Sequence, residues 1–285
     1  MPPAGSVNQL VDVAPHGAWV RRELRSAFKT DALSLVYQPK VNLKTGALAG
    51  VEALIRWSHP ELGPISPADF IPLAEESNVI DELTIWVADL ALRQSAQWID
   101  EGFVGTLALN VSARNLKRVE FPDILADLCR RHGLPCEKVV VEITETATQK
   151  IVKLLDTLTR LRLKGFRLAL DDFGIGFSSL SHLQQLPFSE LKVDRSFVVK
   201  MVEADDCRII SRAIINLAHD LGLRVVAEGV ESAEALRMLV DFGCDDAQGY
   251  FISRPLAEDG LLALLRGGWE AVRARLVNSG IAGRQ

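Results

Sequence analysis

The stretch KVVVEITETATQKIVKLLDTLTRLRLKGFRLALDD, residues 138–172, contains two strongly apolar segments that each end in acidic residues. Residues 138–145 and 166–172 have the composition of buried strands, and residues 150–165 between them have the spacing of an amphipathic helix. A strand, a helix and a second apolar strand predict a parallel βαβ unit with a right-handed crossover. The fold should therefore contain a parallel sheet that is covered by helices.

The same alternation continues along the chain in both directions. We predict eight strands, with amphipathic helices between most of them, at residues 33–43, 47–57, 106–112, 138–145, 166–172, 190–197, 224–231 and 246–253. The first two are joined only by the short segment LKTG and should form an antiparallel hairpin. Eight strands in roughly 240 residues predict an α/β fold of the (β/α)8 TIM-like barrel type, with an irregular antiparallel first hairpin.

A doubly wound open sheet is the alternative fold. Polar residues at the ends of the predicted strands decide between the two, and they are Glu52, Asn110, Glu142, Asp171, Asp172, Lys192, Glu228 and Gln248. An open sheet gathers its functional residues at one switch point, whereas all strand ends of a barrel converge on one face. Because nearly every strand contributes a polar residue, the barrel is favoured.

Composition excludes several functional classes. The 285 residues are 48% hydrophobic with a net charge of −5, which disfavours a surface for nucleic acid polymers. No apolar run is long enough for membrane insertion, and the first residues lack the pattern of a secretory signal. The four cysteines have no CxxC spacing and should be free thiols in a reducing compartment. We therefore expect a cytoplasmic protein.

Carboxylates dominate the polar set at the strand ends. Any one of them alone could be an ordinary solvated loop residue, but five on one barrel rim would repel strongly unless cations neutralise them. The five histidines are scattered away from the strand ends, which argues against zinc. An oxygen-rich ligand set suits Mg²⁺ or Mn²⁺, and its size suits two ions better than one.

The adjacent aspartates Asp171 and Asp172 need a special backbone. Successive side chains of a strand point to opposite faces, so both can reach one centre only if the chain turns sharply. We predict that Gly174 and Gly176 permit this turn, and a plain flexible loop is the alternative.

Seven short motifs then identify a family. They are Glu52-Ala53-Leu54 within VEALIRW (51–57), NVS (110–112), EITE (142–145), DDFG (171–174), LKVD (191–194), AEGVE (227–231) and QGY (248–250). In this order and spacing the chain resembles the EAL-domain cyclic di-GMP phosphodiesterases of bacteria over residues 22–268. Any one tripeptide is a weak signal, but the ordered series is very specific.

The resemblance implies a role for each matching residue. Lys192 resembles the residue that orients the attacking water and stabilises phosphate charge, and Glu52 and Glu228 also belong to the catalytic set. Asp171 is similar to the ligand that bridges two ions. The full set of metal ligands by resemblance is Glu52, Asn110, Glu142, Asp171, Asp172 and Glu228.

Further residues are assigned to the substrate and to the loop by the same resemblance. Arg56 resembles the side chain that contacts a substrate phosphate. Gln248 resembles an amide that supports the metal centre or holds a water. The substrate-binding set by resemblance is Arg56, Gln38, Leu54, Asp194 and Gln248. The set that anchors the loop after Asp172 is Glu145, Gly174, Gly176 and Glu231.

The implied reaction is hydrolysis of cyclic di-GMP to linear pGpG in second-messenger signalling, with two Mg²⁺ or Mn²⁺ ions and with inhibition by Ca²⁺. The resemblance also implies a homodimer and a possible N-terminal sensory or regulatory domain. Two alternatives stay open: a cyclic di-GMP receptor with little or no turnover, and an unrelated Mg²⁺-dependent barrel enzyme. The sequence departs from the usual family loop at Ile175 and Phe177, where two hydroxyl groups are lost and turnover could become conditional.

The domain boundaries follow from these matches. We predict an N-terminal tail or linker over residues 1–21, the EAL domain over 22–268, and a helix end and tail over 269–285. The amphipathic segment 261–277 should pack on the barrel or on a partner. The chain is either a stand-alone protein or part of a longer one.

Overall fold

The computed structural model describes residues 16–145, 154–175 and 180–279 as a ring of strands surrounded by helices. The strands are β1 (Leu33–Asn42), β2 (Leu48–His59), β3 (Gly63–Ile65), β4 (Thr106–Asn110), β5 (Val139–Thr144), β6 (Arg167–Phe173), β7 (Glu190–Val193), β8 (Arg224–Ala227) and β9 (Asp246–Gln248). The α-helices are α1 (His16–Ala27), α2 (Pro67–Glu76), α3 (Ile80–Asp100), α4 (Phe121–His132), α5 (Leu155–Leu163), α6 (Leu180–Gln185), α7 (Arg195–Lys200), α8 (Asp205–Asp220), α9 (Ala233–Asp241), α10 (Glu258–Ala263) and α11 (Trp269–Asn278).

Eight of these strands close into a barrel. The order around the ring is β1, β2, β4, β5, β6, β7, β8 and β9, and β9 pairs back with β1. Strand β1 is antiparallel to both of its neighbours, and the other neighbouring pairs of the ring are parallel. The predicted (β/α)8 barrel with an antiparallel first hairpin is confirmed, and a closed ring excludes the doubly wound open sheet.

The alternation of side chains along the strands separates two environments. Side chains of the strands join the helices in a large hydrophobic core and in a second core around Trp57 and Phe70, whereas Ala108, Val140 and Ala169 form a small apolar cluster of their own. Two residues further along the same three strands, toward their carboxyl ends, the equivalent positions are polar: Asn110, Glu142 and Asp171. The strand period therefore places a set of polar side chains directly above the small apolar cluster.

Helix α1 runs across the boundary that we predicted between tail and domain. Its Val20 and Leu24 are fully buried against Trp57 and Phe70, so ordered, packed structure begins before residue 22. The sequence pattern predicts only a tail there, because one amphipathic turn among Pro, Gly and polar residues gives a weak signal. Residues 1–15 lie outside the described part of the chain, and the domain division stays a prediction.

Three of the predicted strands are shorter than expected by four residues or more. The prediction of strand over 190–197 is wrong after residue 193, because Asp194 caps helix α7 by accepting a hydrogen bond from the Ser196 backbone N–H at 2.7 Å. Strands β8 and β9 end at Ala227 and Gln248, so the predicted strands 224–231 and 246–253 continue into loops. These loops are packed together: a Cβ added to Gly249 would lie 2.2 Å from the Val230 backbone.

The C-terminal segment packs on the barrel. Predicted as one amphipathic helix over 261–277, it forms α10 and α11 with a break at Gly267, where φ is +136°. Leu276 of α11 is fully buried, and Arg275 donates hydrogen bonds to the carbonyls of Phe251 and Ile252 at 2.8 and 2.7 Å. Among the described residues no helix has the length and apolar character needed to cross a membrane.

Candidate active site

A buried lysine lies at the carboxyl end of the barrel. Lys192 of β7 is 1% exposed, and its Nζ lies 2.6 Å from Glu228, 2.8 Å from Glu142, 3.1 Å from Asp171 and 3.7 Å from Glu52. These four carboxylates come from β5, β6 and β2 and from the residue that follows β8. The predicted convergence of strand ends on one centre is therefore present in the fold.

Glu142 is the most enclosed of these acids. Its Oε2 contacts Lys192 and its Oε1 accepts a hydrogen bond from Lys40 Nζ, each at 2.8 Å. Burial alone would raise the pKa of Glu142, but the two ammonium groups outweigh it and hold the pKa at about 2. Glu142 is therefore an anion held from both sides.

Glu52 is held by two amides. Its Oε1 accepts from Asn110 Nδ2 and its Oε2 from Gln248 Nε2, both at 2.7 Å. Gln248 Nε2 also donates to Gln38 Oε1 at 3.1 Å, which joins β1 to the site. The Oε1 atom of Gln248 is buried and has no hydrogen-bond partner among the described residues, so a ligand or water would satisfy it.

The two adjacent aspartates reach one centre because the backbone reverses at the second of them. Asp172 has φ +57°, and the register between β6 and β7 shifts between Leu170 and Phe173. Carboxylate oxygens of Asp171, Asp172 and Glu228 lie within 4.8 Å of one another. The turn predicted at the glycines thus already begins at Asp172, a residue type that tolerates this left-handed conformation better than most.

The loop after Asp172 is hydrogen-bonded to the residue that follows strand β5. Gly174 has φ +106° and donates its backbone N–H to Glu145 Oε2 at 3.0 Å. A Cβ at this position would lie 2.8 Å from the Phe197 ring, so glycine is required by packing as well as by conformation. Gly176 and Phe177 lie outside the described residues, whereas Ile175 is 62% exposed.

A cavity of about 810 Å³ opens beside the carboxylates. Leu54, Arg56, Asn110, Glu142 and Asp172 line it, together with apolar side chains of α2 and α3. Apolar walls with a few polar groups at one end are typical of small-molecule sites.

Negative charge exceeds positive charge in the site. Five carboxylates, those of Glu52, Glu142, Asp171, Asp172 and Glu228, face the ammonium groups of Lys192 and Lys40. Burial and the neighbouring anions raise the pKa of Glu52 and of Glu228, and they raise that of Asp172 to about 6. Burial would lower the pKa of Lys192, but the surrounding carboxylates raise it. A divalent cation would remove this excess of negative charge.

Some predicted site residues have other partners. Asp194 is buried and caps helix α7, and Glu231 lies in a half-exposed ion pair with Arg195 at 3.5 Å. Arg56 lines the cavity, but its Nη1 donates to the Ile55 carbonyl at 2.8 Å. Their roles toward substrate and loop stay predictions.

Lys40 is a residue of the site that our sequence interpretation missed. A signal was present, because Lys40 follows Gln38 by two positions on β1 and therefore shares its face of the strand. A lysine preceded by proline in an apolar strand nevertheless resembles a surface residue on an edge strand. The closed ring makes β1 an interior strand and buries the side chain.

Comparison with known proteins agrees with this geometry. The EAL domain family model matches residues 21–255. The chain belongs to the EAL domain family. Within this family, the bifunctional diguanylate cyclase/cyclic di-GMP phosphodiesterase MucR of Pseudomonas aeruginosa is 40% identical over 244 residues, 85% of this chain and 36% of MucR. The cyclic di-GMP phosphodiesterase PA2567 of the same organism is 38% identical over 237 residues, 83% of this chain and 40% of that protein.

A solved structure adds a three-dimensional match for this EAL domain. The structure described as the PaMucR phosphodiesterase in complex with c-di-GMP superposes with a TM-score of 0.81 and 38% identity, covering 85% of this chain and 99% of that one. The curated relatives are longer proteins, and the chain spans about two fifths of their length or less.

Proposed function

We propose that this EAL domain hydrolyses one phosphodiester of cyclic di-GMP and releases linear pGpG. The observation that carries the proposal is Lys192, whose ammonium contacts four converging carboxylates, one of which, Glu142, lines a cavity of about 810 Å³. Family membership and the c-di-GMP complex of the PaMucR phosphodiesterase support this choice of substrate.

The donor set fits divalent cations. It consists of carboxylate and amide oxygens, the ligands that Mg²⁺ and Mn²⁺ prefer, and it carries excess negative charge. The residues that would hold two ions are Glu52, Asn110, Glu142, Asp171, Asp172 and Glu228. Gln248 Oε1, which is buried and has no hydrogen-bond partner in the described part of the chain, supports the same proposal, since it lies on the amide that holds Glu52. When bound, such cations supply Lewis-acid stabilisation of the phosphate and an activated water.

Residues of the protein stabilise the developing charge and orient the carboxylates of the site. Lys192, which is itself shielded from water, offers positive charge where negative charge develops on the phosphate oxygens. Glu228, 2.6 Å from its Nζ, fixes the position of that ammonium. Asn110 and Gln248 fix both oxygens of Glu52, so this carboxylate costs little reorganisation during the reaction.

The cavity suits a substrate with apolar base faces and anionic phosphates. Leu54 and the apolar walls provide surface for a guanine base, and Arg56 lies in the same wall with a guanidinium suited to phosphate. Gln38, Gln248 and Asp194 complete the proposed substrate set. An excess of protein carboxylates does not oppose a dianionic substrate, because bound cations invert the local field.

The deciding experiment is incubation of the purified protein with cyclic di-GMP and Mg²⁺ or Mn²⁺, with separation of the nucleotides by chromatography. We expect pGpG with either ion and none with Ca²⁺ or with EDTA. Glu52→Gln should abolish product, whereas Glu61→Gln, an exposed acid in the turn after β2, should leave turnover unchanged. Product from the Glu52 variant at the parental rate would refute the site assignment.

A receptor function is the second candidate. The departure at Ile175, 62% exposed in the loop anchored to Glu145, supports it, because a loosened loop could allow binding without turnover. Calorimetric titration with cyclic di-GMP in Ca²⁺ measures binding separately from hydrolysis. Tight binding without product in Mg²⁺ would favour the receptor over the enzyme.

Partners and location belong to the same proposal. We expect a cytoplasmic homodimer, and exposed apolar residues such as Ile175 and Ile209, which are 62% and 67% exposed, offer surface for it. Light scattering during gel filtration would measure the oligomeric state. A regulatory domain N-terminal to this one is proposed only by analogy with the longer relatives.

A further inference from the structure

Lys40 lies deep in the barrel on the antiparallel strand β1. The residue is 3% exposed, and in the pairing register it stands opposite Gly50 on β2 and Gln248 on β9. Its Nζ lies 2.8 Å from Glu142 Oε1, and both side chains of this pair are almost completely shielded from water. Burying an ammonium group costs desolvation free energy. The close ion pair with Glu142 offsets this cost, so the role of Lys40 must be sought in this contact.

Glu142 is thereby held between two lysines that approach from different strands. Lys192 takes its Oε2 and Lys40 its Oε1, at the same distance of 2.8 Å. A carboxylate oxygen that accepts from one ammonium keeps a second lone pair for another partner. Oε2 lies beside Lys192, which also contacts Glu52, Asp171 and Glu228, whereas Lys40 holds Oε1 on the other side of the carboxylate. Lys40 therefore fixes which oxygen of Glu142 lies among the other acids.

The other acidic residues near Lys40 form ion pairs with arginines. A second cavity of about 150 Å³ is lined by Lys40, Glu190 and Asp246. Glu190 pairs with Arg167 at 3.8 Å, and Asp246 accepts two hydrogen bonds from Arg224 at 2.7 and 2.8 Å. Within the described residues Lys40 has an ion pair with Glu142 alone. Glu190 and Asp246 therefore do not need Lys40 to neutralise their charge, and they do not explain why a lysine is buried here.

We propose that Lys40 is a positioning residue that sets the divalent-cation affinity of this site. It orients Glu142 as a ligand through Oε2 only, and its positive charge reduces the attraction of the carboxylate cluster for cations. The inference rests on the metal centre of the proposed function. Without Lys40, Glu142 keeps its contact with Lys192 but gains a free oxygen, and the cluster becomes more negative.

The test uses Mn²⁺ itself, counted by electron paramagnetic resonance as free and protein-bound ion, without substrate. We expect Lys40→Met to bind Mn²⁺ about tenfold more tightly than the parent, and its turnover of cyclic di-GMP at saturating Mn²⁺ to fall about tenfold. Opposite changes in affinity and turnover are not what a merely structural defect produces.

Two further variants separate charge from packing. Lys40→Arg keeps the cation, and the 150 Å³ cavity beside it gives the larger side chain room, so its Mn²⁺ affinity should stay within threefold of the parent. Lys44→Met removes an exposed lysine of the same hairpin, paired with Asp245 at 3.3 Å, and should leave Mn²⁺ binding unchanged. Lys40→Gln serves as the neutral variant should Lys40→Met not fold.

Equal or weaker Mn²⁺ binding by a folded neutral variant would overturn the proposal. The affinity comparison needs no turnover, so it remains decisive if the parent proves to be a receptor. A parent that forms pGpG while the neutral variant binds Mn²⁺ with parental affinity would leave the proposed function standing and remove the role of Lys40.

Discussion

Lys192 and Glu228 meet across two neighbouring strands, with the lysine Nζ 2.6 Å from Glu228 Oε1. Lys192 is on β7, and Glu228 directly follows β8, whose Val226 pairs with Lys192 in the register of the sheet. Glu228 therefore lies two positions beyond the level of Lys192, and its backbone N–H donates to the Val193 carbonyl of β7 at 3.1 Å. This hydrogen bond continues the pairing of the two strands past the end of β8 and holds Glu228 beside β7, within reach of the long lysine side chain.

Replacement of this lysine should remove catalysis without removing the metal site. Lys192→Met leaves all six proposed ligands in place, and we expect turnover at saturating Mn²⁺ to fall at least about hundredfold, the usual loss when one donor to a developing oxyanion is deleted. Chromatographic assay of pGpG measures turnover, and paramagnetic resonance measures Mn²⁺ binding. Lys200→Met, which changes an exposed lysine of α7, is the matched control and should turn over normally. Turnover within threefold of the parent would exclude a catalytic role for Lys192.

Removing the charge of Asp172 should raise the thermal stability of the metal-free protein but reduce the stabilisation that Mn²⁺ provides. Asp172→Asn keeps a residue that accepts φ +57° but removes one of two neighbouring like charges. In EDTA we expect its Tm to rise by about 2 °C, whereas the further rise on adding Mn²⁺ should be smaller than in the parent. Thermal unfolding with both additives checks this, with the exposed Asp220→Asn as control. An unchanged Mn²⁺-dependent rise would show that Asp172 is not a ligand.

The hydrogen bond from Gly174 to Glu145 predicts a graded effect on turnover. In the parent, the Gly174 backbone N–H donates to Glu145 Oε2 at 3.0 Å. Glu145→Gln retains an oxygen that can accept this hydrogen bond, so its turnover should stay within about threefold of the parent. Glu145→Ala removes the acceptor, frees the loop that follows Asp172, and should lower turnover about tenfold. Steady-state kinetics at saturating Mn²⁺ measures both variants. Equal loss in the two would mean that charge at Glu145, and not its hydrogen bond, matters.

The barrel itself could be predicted because its signals are local and repeated. Apolar strands such as 138–145 and 166–172 alternate with helices. Once the ring closes, the polar residues at the strand ends must all lie at the carboxyl face of the barrel. The same logic brought Glu142 and Asp171 to one centre, where the structure has them both in contact with Lys192.

The elements that escaped prediction depend on tertiary contacts. Helix α1 is buried against Trp57, which lies 37 residues beyond Val20 in the chain and cannot be seen in a local window. Strand β7 ends at Val193 because Asp194 caps the next helix, a role that short strand-like segments do not reveal. The burial of Lys40 depends on β9 pairing with β1, the last step in closing the ring.

A pH-dependent contribution to stability is expected at Asp245, which precedes β9 and does not belong to the proposed metal ligands. Burial would raise the pKa of this carboxyl, but hydrogen bonds from His219 at 2.9 Å, the Val225 N–H at 3.0 Å and Lys44 at 3.3 Å hold it below its usual value. A folded-state pKa that is depressed means stability that is present above the unfolded pKa of about 4 and lost as the pH falls through the folded value. At pH 7, Asp245→Asn should therefore lower the free energy of unfolding by about 1–2 kcal/mol. Urea unfolding at pH 7 and at pH 3 measures this cost, which should shrink at the lower pH because the parent then loses the same charge. A cost that is equal at both pH values would assign the effect of Asp245 to packing and leave its charge without a role in stability.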